Sequence, residues 1–206
     1  MPDANQPAGA KQHAPATLRN REAIFAILER VLPPTGLVLE IASGTGEHAT
    51  WIAPQLPVIT WQPSDADPQM RASIEAWTAE RAAVNVLPPI VLDVCTEVWP
   101  LDEAAAVFCA NMIHIAPWAA TEGLLRGAAR VLSAGGLLVL YGPFMTGGAH
   151  TAPSNAAFDA GLRARNPAWG VRDLDVVRAL AASHGLRHRE TVDMPANNLS
   201  VVFESG

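Results

Sequence analysis

Five short runs of nearly unbroken apolar residues recur along the chain, at 37–42 (LVLEIA), 58–62 (VITWQ), 89–93 (PIVLD), 105–110 and 136–141 (GLLVLY). Apolar positions on both sides of a short strand mark it as buried on both faces, as in a parallel sheet. Between the runs, apolar residues return at helical spacing in 46–54, in 68–83 (with Ile74 and Trp77 on one face) and in 117–132. An earlier helix carries Ile24, Ile27, Leu28 and Val31 and is stopped by Pro33-Pro34. Parallel strands need crossover connections, so strand–helix alternation predicts a doubly wound α/β sheet with helices on both faces.

The last quarter departs from this pattern. A loop rich in glycine (142–153) leads into helices near 154–165 and 173–184, the second ended by Gly185. Strands at 187–193 and 199–204 are separated only by MPANN, which predicts an antiparallel hairpin. Residues 1–16 are polar, contain Pro2, Pro7 and Pro15, and read as a flexible leader to a single domain over 17–206.

The segment Glu40-Ile41-Ala42-Ser43-Gly44-Thr45-Gly46-Glu47-His48 sits where the first strand turns into its helix. Glycines there let a ligand approach the backbone, and the helix N-terminus offers free N–H groups. Asp65 ends the second strand, 21 residues after Gly44, where an acid accepts both ribose hydroxyls of an adenosine cofactor. Asp93 ends the third, in reach of an adenine amino group. Together these residues describe an adenosine pocket at the carboxyl edge of the sheet.

Composition narrows the chemistry. Fourteen basic residues against twenty acidic ones leave a formal charge of −6, which argues against gripping nucleic acid. Lys11 is the only lysine, so a Walker phosphate loop and a buried Schiff-base lysine are both excluded. The two cysteines, Cys95 and Cys109, suggest neither a metal cage nor a disulfide framework. No apolar run approaches a membrane span, and no secretory signal opens the chain; the expected location is cytoplasmic.

The E-x-A-S-G-T-G turn resembles motif I of class I S-adenosylmethionine-dependent methyltransferases. The pieces WQPSD, LDV, NMIHIAPW, LSAGGLLVLYGPF and NNLSVVFE resemble, more narrowly, the methyltransferase-like twenty-six group, over a stretch from His13 to Glu204. The resemblance implies a Rossmann-like sheet of seven strands, mostly parallel, whose last strand inserts antiparallel. It implies S-adenosylmethionine as cofactor, with contacts at Glu40, Ala42, Ser43, Gly44, Thr45, Gly46, Asp65, Asp93, Val94 and Asn111. Two other readings share parts of this pattern. An NAD(P)-dependent oxidoreductase fits the turn and Asp65, but Glu40 would repel a pyrophosphate there and no Tyr-x-x-x-Lys pair is present. A non-catalytic adenosine-binding protein predicts binding without turnover.

On the acceptor side, the expected function is methylation of a small or modest-sized molecule, at oxygen. His114, three residues past Asn111, is the expected catalytic base, because imidazole titrates near neutral pH. His150 in the glycine-rich segment is a second base candidate, and His13 one that closes over the cofactor. No N-P-P-Y sequence is present, which removes support for nucleobase-amine or glutamine methylation. His184 and His188 have metal-pair spacing, but Gly185 interrupts them and no metal is expected. Arg163, Arg165 and Arg172, near Trp169, are read as a solvated face or as a carboxylate- or phosphate-recognising cluster.

Overall fold

The computed structural model describes residues 10–206. Helix α1 (Pro15–Val31) precedes the sheet. The core then alternates β1 (Gly36–Ile41), α2 (Glu47–Ile52), β2 (Ile59–Pro63), α3 (Pro68–Arg81), β3 (Ala104–Ala110), α4 (Trp118–Val131) and β4 (Leu132–Gly142). After it come β5 (Phe144–Thr146), β6 (Ala149–His150), α5 (Pro153–Arg165), β7 (Arg172–Asp173), α6 (Leu174–Ser183), β8 (Leu186–Met194) and β9 (Asn198–Ser205).

The main sheet has six strands in the order β2-β1-β3-β4-β9-β8. The first four are mutually parallel, and β9 runs antiparallel between β4 and β8. Alternate side chains of each strand enter opposite faces. Leu39, Ile41, Val107, Leu138 and Phe203 pack with Leu124, Leu125 and Ala128 of α4 and Val177 of α6. Val38, Ala106, Phe108, Val139 and Val202 pack with Ile24 and Leu28 of α1 and Ala49 and Ile52 of α2. Both faces are therefore covered, and only the strand ends remain to carry function.

The resemblance implied seven strands; the structure forms six in this sheet and a separate small one. The run 89–93 lies beside β2 in parallel, but it pairs only through one isolated bridge, Ser64 with Ile90, preceded by another from Val86 to Trp61. Pro88 and Pro89 supply no N–H, so the ladder breaks at this edge. Gln62 Nε2 fills part of the gap by donating to the Pro88 carbonyl at 2.8 Å. The segment still delivers Leu92 and Asp93 to the same sheet edge.

The glycine-rich stretch expected as a mobile loop is a hairpin of β5 and β6, joined by β7 into a three-stranded sheet. Gly147 and Gly148, at φ +58° and +77°, make its tight turn. Gly147 N–H donates to Asp175 Oδ2 at 3.1 Å, tying the turn to α6.

The leader was expected over 1–16. Residues 1–9 of that expectation lie outside the described residues. Residues 11 and 12 lie against α3: Gln12 N–H donates to Ser73 Oγ, Trp77 Nε1 to the Gln12 carbonyl, and Lys11 pairs with Glu80.

Candidate active site

At the carboxyl edge of β1, β2 and β3 opens a cleft of about 370 Å³, lined among others by Ala42, Asp65, Leu92, Asp93, Val94 and Met112. Its size falls within the usual range for small-molecule sites. Four residues expected to hold the cofactor thus form its wall: Ala42, Asp65, Asp93 and Val94. Ser43, Gly44, Thr45 and Gly46 continue from Ala42 as the turn into α2.

Two non-glycine residues at these strand ends adopt left-handed backbone, Ala42 at φ +51° and Asn111 at φ +63°. Each costs on the order of 1–3 kcal/mol, and such strain collects at functional positions. The two glycines of the turn serve different ends. A Cβ on Gly44 (φ +57°) meets nothing within 4 Å, so this residue exposes backbone to open space. A Cβ on Gly46 (φ +86°) would stand 2.7 Å from Ile74 Cα on α3. Gly46→Ala is therefore expected to destabilise the fold by about 2–4 kcal/mol, from a left-handed alanine plus overpacking against backbone. Gly44→Ala carries only the first of these costs. Urea denaturation of both variants measures the difference.

Asp65 is buried and does two jobs. Its Oδ2 accepts from Gly44 N–H and its Oδ1 from Asp67 N–H, both at 2.9 Å. Burial raises its pKa, against the pull of those backbone donors and of Arg71. Each carboxylate oxygen keeps an unused lone pair for a ligand hydroxyl. Asp93 is exposed, and its Oδ1 accepts from Cys95 N–H at 2.9 Å, which fixes the loop below α4.

Glu40 lies fully inside, at the end of β1. Its Oε2 accepts from Trp61 Nε1 at 3.1 Å, and its carbonyl accepts from Ser64 Oγ at 2.7 Å and from Ser43 Oγ at 3.3 Å. Burial pushes its pKa up to about 7, with the Trp61 donor opposing and nearby Asp65 reinforcing the shift. A carboxylate so poorly solvated is stabilised by an incoming cation, such as an amino-acid ammonium.

His114 is brought to a different place from the one expected. It follows Asn111 in a short 3-10 turn (Met112–His114), is completely buried and packs edge-on to Phe144 at 5.1 Å. A Cβ on Gly142 would sit 2.5 Å from its Nε2. Neither ring nitrogen finds a hydrogen-bond partner among the described residues, and burial and Arg172 pull its pKa down to about 3. Neither His114 nor Asn111 is among the residues lining the cleft, although Asn111 directly precedes Met112, which is. A base role requires His114→Phe to lose about 10²–10⁴-fold in turnover together with an ionisation in the pH profile. The buried neutral ring predicts instead a shifted melting temperature with the pH profile retained.

The other sequence candidates are accounted for locally. His150 Nε2 lies 3.5 Å from Asp159, whose carboxylate also accepts from Arg163 at 2.9 Å and from Val171 N–H at 2.7 Å. His13 Nδ1 stands 3.3 Å from Glu47 and packs on Trp77. His188 is engaged with Thr191 and Arg178. The three arginines do not form one recognition surface. Arg172 instead holds the turn after β3, donating to the Ile113 and Ala116 carbonyls, while its guanidinium covers Trp118.

Residues missed by sequence reasoning are Glu47, Asn20, His48, Tyr141 and Asn198. Buried Glu47 accepts from Thr45 Oγ1 at 3.0 Å and from Ala14 N–H at 2.6 Å, so it links the glycine turn to the segment before α1. His48 Nε2 lies 2.9 Å from Asn20 Oδ1, and burial lowers its pKa to about 4. Glu47 and His48 follow the glycine turn directly and were legible there as site neighbours. Asn20, Tyr141 and Asn198 come from α1, β4 and β9, and no local pattern joins them.

A family model described as "Protein of unknown function (DUF938)" matches residues 11–205. The chain belongs to this family. Among solved structures, the DUF938 chain is similar to an O-methyltransferase family protein from Burkholderia thailandensis, at TM-score 0.79 and 14% identity over 93% of this chain and 57% of the other. The mitomycin 7-O-methyltransferase gives TM-score 0.79 and 15% identity, covering 93% and 54%. A methyltransferase of calicheamicin biosynthesis, solved with S-adenosylhomocysteine bound, gives 0.70 and 20%, covering 89% and 54%. The chain spans a little over half the length of each of these proteins. At such identities the likeness establishes the fold, which is that of class I S-adenosylmethionine-dependent methyltransferases.

Proposed function

We propose that this DUF938 protein is an S-adenosylmethionine-dependent methyltransferase acting on a small molecule, at oxygen. The observation that carries the reading is the cleft in which Asp65 and Asp93 stand on one wall beside the open backbone of Gly44. The apolar walls from Leu92, Val94 and Met112 suit a flat adenine, and Asp65 suits the ribose hydroxyls. Glu40, Ser43, Thr45 and Gly46 frame the amino-acid end, with buried Glu40 supplying the anion for its ammonium. Val94 and Asp93 frame the base, and Asn111 lies at the reacting end.

S-adenosylmethionine, when bound, would supply an electrophilic sulfonium methyl group to an ionised oxygen of the acceptor, with S-adenosylhomocysteine as the product left behind. The chain itself needs to orient the acceptor and exclude water, which alone supplies a large share of the rate. The oxygen assignment draws on the structurally similar O-methyltransferase family protein from Burkholderia thailandensis and the mitomycin 7-O-methyltransferase. The net charge of −6 supports a small-molecule acceptor rather than nucleic acid. No described helix is long and apolar enough to cross a membrane.

Thermal denaturation with S-adenosylhomocysteine and with NAD tests the cofactor. A ligand of the native state raises the melting temperature, by about 2.7 kcal/mol of added stability at a hundredfold excess over Kd. Stabilisation by S-adenosylhomocysteine and none by NAD is expected. The opposite response favours the oxidoreductase. Binding that is never followed by methyl transfer to any component of a cell extract favours a non-catalytic adenosine-binding protein.

A further inference from the structure

Two smaller clefts, of about 180 and 230 Å³, meet each other at Asn111, Ala196 and Asn198. The first also contains Arg19, Asn20 and Tyr141; the second, Pro143 and Phe158. Asn111, with its left-handed backbone, directly precedes Met112 of the adenosine wall, which ties the joined clefts to the cofactor cleft through the chain.

The clefts differ in charge. Two carboxylates line the adenosine cleft, whereas among the described residues Arg19 is the only formally charged side chain lining either smaller cleft. Arg19 is exposed and makes no salt bridge within the described residues. An ammonium entering here would lose hydration and gain no counter-charge, while a carboxylate would gain a charge-assisted pair. Tyr141, the single tyrosine of the chain, is buried at the end of β4 and lines the first cleft together with Asn20 and Asn198. Asn20 is itself held by His48 at 2.9 Å, so these neutral donors and acceptors are fixed in place. Pro143 and the half-exposed Phe158 add flat apolar surface. A cavity of roughly 150 Å³ holds a benzene ring, so either cleft accommodates one.

We propose that these joined clefts are the acceptor site and that they select a small planar carboxylate, with Arg19 anchoring the anion and Tyr141 and Asn198 directing the rest of the molecule. This rests on the methyltransferase reading and names the substrate class for it.

Benzoate and benzylamine, equal in ring and opposite in charge, separate the possibilities when titrated into protein saturated with S-adenosylhomocysteine at fixed ionic strength. Benzoate is expected to raise the melting temperature beyond the cofactor increment, and benzylamine is not. Arg19→Gln is expected to weaken benzoate about 10-fold or more, and Tyr141→Phe to weaken it less, with the cofactor increment intact in both. An equal or larger response to benzylamine, a benzoate response that survives in Arg19→Gln, or none in the parent protein overturns the proposal. Failure of S-adenosylhomocysteine to stabilise the protein is seen before either probe is added; it overturns the methyltransferase reading and this acceptor site with it.

Discussion

Asp65→Ala is expected to weaken S-adenosylhomocysteine binding by about 10–150-fold, measured by calorimetric titration. That range corresponds to the roughly 1.5–3 kcal/mol of hydrogen bonding to a charged group. The structure adds a second consequence. Because the same carboxylate accepts from Gly44 N–H and Asp67 N–H, alanine also frees one donor of the glycine turn and one at the start of α3. The ligand-free melting temperature should therefore fall by several degrees, at about 2–4 °C per kcal/mol for a chain of this size. Asp65→Asn separates the two roles, since an amide oxygen keeps one of the two backbone bonds while the charge is lost. If the asparagine variant binds the cofactor as the parent does, the carboxylate serves the turn alone.

The second large effect is a pH dependence set by Glu40. Burial holds its pKa near 7 against an ordinary 4.5. Between these two values the folded chain retains a proton that the unfolded chain has released, so stability falls as pH rises through the window. The full shift is worth roughly 3 kcal/mol, reached above pH 7. Glu40→Gln removes this slope. Its urea midpoint is expected to gain steadily on that of the parent from pH 5 to pH 8. Cofactor binding has the opposite dependence, because an ammonium pairs with the ionised form. Parent affinity for S-adenosylhomocysteine should rise toward pH 7, by up to about tenfold per pH unit, and level off above it. The glutamine variant should bind weakly and without this slope. A parent affinity that is flat from pH 5 to pH 7 would detach Glu40 from the cofactor.

His114 and His48 act in the other direction. Their folded pKa values lie near 3 and 4, against 6.5 for free imidazole. A histidine buried neutral contributes stability above pH 6.5 that is lost as pH falls toward those values. The slope that distinguishes Glu40 is therefore read from the variant-minus-parent difference, not from the parent curve alone.

The alternating apolar runs determined the layered α/β architecture by themselves, because a strand buried on both faces and an amphipathic helix each leave a local period in the sequence. The same locality placed the glycine turn and Asp65 at the ends of β1 and β2, and a parallel sheet sends those ends to one side, where Asp93 joins the same cleft from an irregular segment. MPANN between two strand-like stretches likewise announced the hairpin of β8 and β9. The sequence could not show that 89–93 fails as a full strand, since its apolar residues read as one while Pro88 and Pro89 withhold the donors that pairing requires. It could not show that Gly46 is required by Ile74 on α3, nor that Arg172 holds the turn after β3. His114 carried the chemistry of a base in the sequence, but burial behind Gly142 and Asn111 is a property of packing. The Arg19-Asn20 pair, Tyr141 and Asn198 come from three distant stretches of the chain and meet only when α1, β4 and β9 are brought to one edge. Local period and turn chemistry are written residue by residue, whereas the polarity of a cleft depends on which distant side chains the closed sheet places across from one another.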